Sequence, residues 1–147
     1  MKYSLSVLIL FSGLTHSEIT ETHLICDKDY RDYPDLNYRI IFRFADDNRD
    51  KSGVVRGIVE KGEYNFVSYE YVRRKVKYAQ GGTSIWIDQK KNGGWWYDLD
   101  RVTLVLSQYS VGNNRIYQCE LVDRNSFLRA EKGLKEHEKK EKAKRKI

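Results

Sequence analysis

The sequence predicts an all-β protein: an antiparallel meander of about eight strands forming a barrel or sandwich, followed by a charged C-terminal helix. Three observations carry this. Apolar and aromatic residues alternate with polar ones at period two through the middle of the chain. Turn-forming clusters break that alternation every 8–14 residues, and no helical period precedes Ser126. The aromatic supply (3 Trp, 11 Tyr, 5 Phe in 147 residues) is that of a chain with a core, not a disordered one. The length fits one domain and excludes a multidomain enzyme. The expected partition is a leader over 1–17, a β-domain over 18–125 and a basic, charged helix or tail over 126–147.

Met1-Lys2 gives a positive start, Ser4 to Leu14 an uncharged apolar run, and Thr15-His16-Ser17 a small-residue cleavage pattern. This is the layout of a secretory signal peptide. The run is too short for a bilayer, which needs about 20 residues. It implies a periplasmic or secreted protein.

The elements follow in order. Leu24-Ile25-Cys26 is a short first strand. In Tyr38–Phe44, Tyr38, Ile40, Phe42 and Phe44 share one face and Arg39 and Arg43 the other. The polar run 46–53 is a turn; Asp46, Asn48 and Asp50 imitate the start of a calcium loop, but Lys51 and Gly57 stand where glycine and glutamate are needed. Val54–Glu60 is a strand, Lys61-Gly62-Glu63 a short connection, and Tyr64–Tyr71 a third strand that Arg73–Tyr78 continues or pairs with. Ser84–Gln89 and Trp95–Leu99 flank Lys90-Lys91-Asn92-Gly93-Gly94, a strong hairpin signal. Trp95–Leu99 and Arg101–Ser107 read as one bent strand. Arg115–Val122 is the last strand and carries Cys119.

Cys26 and Cys119 are the only cysteines. In an oxidising compartment two thiols in a small domain pair, which here would tie the first strand to the last. With His23 and His137 the only histidines after the leader, both outside the predicted strands, no metal site and no Ser-His-Asp arrangement is expected. No cofactor motif or catalytic motif occurs. Asp98 and Asp100 share a strand face at about 6–7 Å, but Arg101 is a natural partner for them. The protein is therefore expected to be no enzyme.

The basic excess belongs to the tail: Glu18–Leu128 is electrically balanced, whereas residues from Arg129 onward carry a net +5. Ser126 is the expected N-cap. Phe127, Ala130 and Leu134 form one apolar face, and Glu131–Lys135, Glu136–Lys140, Glu138–Lys142 and Glu141–Arg145 stand at i,i+4. Lys142, Lys144, Arg145 and Lys146 are candidates for contact with an anionic surface; a nucleic-acid partner is not expected of an exported chain. Trp86, Trp95 and Trp96 on the hairpin, with Tyr69 and Tyr71 on another strand, are the candidate contact aromatics for a carbohydrate ring or a partner's pocket.

Leu99-Asp100-Arg101-Val102-Thr103 and Tyr117-Gln118-Cys119, after a leader and an early Leu24-Ile25-Cys26, resemble a loose group of small exported β-proteins of marine bacteria and their phages. The resemblance implies export, the bridge and an all-β fold, with Asp100-Arg101 as an ion pair or a backbone-capping arginine at a strand bend. It implies no activity. Leu104 replaces the glycine that often ends the motif. The expected role is a non-enzymatic structural or binding domain. The alternatives are a barrel that carries a lipid or other apolar ligand, and an envelope adaptor that uses the basic tail.

Overall fold

A computed structural model of the chain describes residues 22–28, 38–44, 48–49, 55–65, 68–110 and 113–145. The expected leader lies outside the described residues, as do Asp46 and Asp50 of the acidic turn and Lys146 of the tail. The strands are β1 (Thr22–Lys28), β2 (Tyr38–Phe44), β3 (Asn48–Arg49), β4 (Val55–Asn65), β5 (Glu70–Gln80), β6 (Ser84–Gln89), β7 (Trp95–Asp100), β8 (Val105–Ser110) and β9 (Asn113–Val122). The helix α1 (Arg124–Lys144) follows.

All pairings are antiparallel and join chain neighbours, except that β2 pairs with β4 past the two-residue β3, and β9 pairs back to β1. Eight strands thus close into an up-and-down barrel, with β6 covering only the Tyr78–Gln80 end of β5. At the seam Cys26 stands directly opposite Cys119, and the two are disulfide-bonded across 93 residues of sequence.

Period-two alternation sends Leu24, Ile40, Phe42, Val59, Val76, Ile85, Ile87, Leu99 and Leu106 inward, all buried. The core is closed across its width. Phe42 on β2 and Tyr97 on β7 stand on opposite walls, four strands apart either way round, and their rings meet edge-to-face at 6.0 Å. Phe44 meets Tyr78 edge-to-face at 5.1 Å. At this level the bore is occupied by side chains, as expected of a small eight-stranded barrel.

A second cluster lies outside the wall. Ile25 and Ile41 are register partners facing outward, and Phe127 and Ala130 of α1 cover them, with Val122 and Leu134 at the margin. The predicted apolar face of the helix is therefore its docking face.

Several elements differ from the sequence expectation. Tyr64–Tyr71 is not one strand: β4 ends at Asn65 and β5 opens at Glu70. Asn65 makes the break, its side-chain oxygen accepting the Ser68 N–H (3.1 Å) and its carbonyl the Tyr69 N–H (2.7 Å), with Tyr69 at φ 59°. Lys61-Gly62-Glu63 is not a connection but the middle of β4. Trp95–Ser107 is two strands, because Asp100 Oδ1 accepts the N–H groups of Val102 (2.8 Å) and Thr103 (2.9 Å) and folds a turn. Leu104 closes it at φ 58°, the left-handed position a glycine ordinarily takes. Arg101 leaves the turn to donate to the carbonyls of Gly81 (2.9 Å) and Gly82 (2.7 Å), the backbone-capping role. His23 lies in β1, not outside the sheet, and its ring packs 4.8 Å from Phe127.

Candidate functional site

The helix begins earlier than expected. Asp123, not Ser126, is the N-cap: its carboxylate accepts the Ser126 N–H at 2.7 Å. The Ser126 backbone N–H first, and the Ser126 side chain after it, hold this carboxyl below its ordinary range.

Docking sorts the helix charges by sign. Glu131 is 6% exposed and faces the barrel, where Tyr71 donates its hydroxyl (2.7 Å) and Arg73 its guanidinium (3.2 Å). Glu138 accepts the Tyr71 backbone N–H at 2.6 Å, near the start of β5. Glu141 is also partly covered, and pairs with Lys144 at 3.2 Å. Between these acids His137 stacks edge-on against Tyr64 at 4.6 Å. Burial and the Glu131 hydrogen bond push the Tyr71 phenol far above its ordinary pKa, so it remains a neutral donor.

The outward side is the complement. Arg124, Arg129, Lys132, Lys135, Lys139, Lys140, Lys142 and Lys144 are all exposed, with Glu136 the one exposed acid of the helix. Over 21 residues this is a cationic rod of about 30 Å. Its apolar stripe is spent on the barrel, so it cannot insert edge-on as a free amphipathic helix would. Among the described residues no helix is long and apolar enough to cross a membrane.

Of the tail cations singled out from the sequence, Lys142 lies 3.7 Å from Glu138 and Lys144 pairs with Glu141. The Arg145 guanidinium sits 3.3 Å over the Tyr69 ring. The outward cations nearer mid-helix are Lys132, itself 4.0 Å from Glu136, and Lys139 and Lys140. The sequence missed this because its acids alternate with its bases; only the docking face shows which side each sign takes.

The candidate aromatics separate into two groups. Tyr69 and Tyr71 hold the helix. Trp86 lies outside the wall opposite Ala79, against Gly81, where a Cβ would meet its ring at 2.8 Å. Trp96 is 37% exposed with Lys90 Nζ 4.4 Å over its ring. Trp95 lines an open hollow of about 540 Å³ with Ile58, Ala79, Gln89, Arg56 and Lys77.

The least expected site is Lys61. The sequence places it in a connection, yet it is 2% exposed inside the barrel. Its Nζ lies 3.0 Å from Asp88 Oδ2, 3.3 Å from Glu63 Oε1 and 3.5 Å from the Tyr97 hydroxyl. Gln108 extends the chain, donating to Tyr97 (3.5 Å) and accepting from Tyr117 (2.8 Å). Burial pushes the Tyr97 phenol far up, which keeps it neutral beside the amine. The signal available in the sequence was the inward phase of β4: Val59, Lys61 and Glu63 share a face.

No protein-family model, no curated protein and no solved structure matches the chain. What the molecule establishes is its class: a small disulfide-bonded β-barrel domain with a docked C-terminal helix.

Proposed function

We propose that the chain is an exported, non-enzymatic binding protein that attaches to an anionic envelope surface through the outer face of α1. The observation that carries this is the sorting of charge on the helix: Glu131, Glu138 and Glu141 turn toward the barrel, and eight cations turn to solvent against Glu136 alone. Charges arranged in this way hold a strong local field although the rest of the protein is near neutral. The barrel serves as a rigid platform, and its bridge suits an oxidising compartment. The ring-to-ring contact across the bore favours this surface role over carriage of an apolar ligand.

The test is co-sedimentation with vesicles of anionic and of zwitterionic phospholipid across a salt series, with a soluble anionic polysaccharide as competitor. Binding is expected to the anionic vesicles only and to fall with salt. Lys132→Ala/Lys139→Ala/Lys140→Ala should weaken it about a hundredfold, at about 1 kcal/mol per cation. Binding that ignores both salt and the triple substitution rejects the reading. Competition by the polysaccharide at low concentration would reassign the anion from lipid to polymer.

A further inference from the structure

We propose that Lys61 and Asp88 join through an intramolecular amide bond between their side chains, with Glu63 as the catalytic proton carrier. Three features place the reacting groups together. The amine is enclosed: Lys61 is 2% exposed, stands opposite Phe42 in register, and lies 4.9 Å from the Tyr97 ring centre. The electrophile is in reach, with Asp88 Oδ2 at 3.0 Å from Nζ. A second carboxylate, Glu63 Oε1, touches the same nitrogen at 3.3 Å.

The backbone of Asp88 adds an independent observation. Ile85 and Ile87 face inward, so strand alternation assigns position 88, between the pairs Ile87–Tyr97 and Gln89–Trp95, to the outer face. Its φ is +65°, a left-handed conformation that costs a non-glycine residue energy inside a strand, and its carboxylate reaches the buried Lys61. A buried ion pair by itself returns little net stability for its desolvation. Here strain, burial and a surplus carboxylate are all gathered on one amine.

The reaction balances without any further reagent. Glu63 takes one proton from the Lys61 ammonium and passes it to the Asp88 carboxylate, leaving a neutral amine and a neutral acid. The Nζ lone pair attacks Cγ of Asp88, forming the C–N bond. Arg74 Nη2, 3.2 Å from Asp88 Oδ2, stabilises the negative oxygen of the tetrahedral intermediate. The C–OH bond then breaks. The hydroxyl leaves with a second Nζ proton, carried by Glu63, as water; the third proton stays on the amide nitrogen. Fixed proximity supplies the effective concentration that separate amines and carboxylates lack.

The test is the intact mass of the folded, secreted protein after reduction of its disulfide, followed by proteolytic mapping. The expected result is a chain lighter by one water, with a branched peptide joining the segments that contain Lys61 and Asp88. Glu63→Gln, shown by circular dichroism to fold, should keep the water, and Lys61→Arg should too. A wild-type chain that retains its full mass after prolonged folded incubation overturns the proposal, and this outcome depends on no variant. Loss of water mapped to a linear peptide or to the N-terminus overturns it as well. Equal water loss in Glu63→Gln removes Glu63 from the mechanism.

Discussion

Tyr71 shows how one residue couples sheet to helix. Its hydroxyl and its backbone N–H serve two different glutamates of α1, one turn-pair apart. The ring lies against Gly62, which has no side chain to spare: a Cβ there would run into the Tyr71 hydroxyl and lie 2.9 Å from Ile41 Cγ1. Two substitutions separate these roles. Tyr71→Phe removes one donor from a buried carboxylate that keeps Arg73, and should cost about 1–3 kcal/mol in urea unfolding. Gly62→Ala adds only a methyl, yet must displace the ring and with it the hydroxyl's bond to Glu131, at about 1–3 kcal/mol by overpacking. In the double variant the two costs should fall short of additive, because they break the same contact; full additivity would show that Gly62 and Tyr71 act separately. None of this was legible in the sequence. Lys61-Gly62-Glu63 reads locally as a turn, and only the length of β4 and a covering helix reveal why that glycine is small.

At the scale of the element, α1 illustrates what a periodic pattern gives and what it withholds. Phe127, Ala130 and Leu134 identify its docking face at once, and Glu131–Lys135 and Glu138–Lys142 stand at 3.7 Å as their spacing implies. The face they dock against was also present in the sequence, as the consecutive pairs Leu24-Ile25 and Ile40-Ile41. Alternation should have made one of each pair polar unless both sides of the wall were covered. Asp123 caps the helix where the sequence suggests Ser126, because its carboxylate takes the Ser126 N–H, a hydrogen bond that residue type alone does not reveal. That cap sets an acid dependence. The Asp123 carboxyl titrates below its ordinary value in the folded protein, so its support is present above an ordinary pKa of about 3.9 and disappears as pH falls through the lower folded value. Helical circular dichroism should therefore decline at the acid end of a titration. Asp123→Asn, which caps without titrating, should flatten that part of the curve. An identical acid limb in both proteins would show that the cap does not control the helix N-terminus.

For the whole molecule the decisive fact is closure. A meander with a cysteine near each end reads equally as a barrel or as a sandwich; what selects the barrel is β2 pairing with β4 on one side of the β1–β2 pair while β9 returns to β1 on the other. Those pairings depend on register between distant strands, which local alternation does not encode. The Cys26–Cys119 bridge sits in that last-closed pair, so it restrains in the unfolded chain the contact that is most remote in sequence. On the chain-entropy account a loop of this length contributes about 4.7 kcal/mol. With a urea dependence of about 1–3 kcal/mol per molar for a small protein, reduction should lower the unfolding midpoint by about 2 M. Cys26→Ser/Cys119→Ser should reproduce the reduced protein.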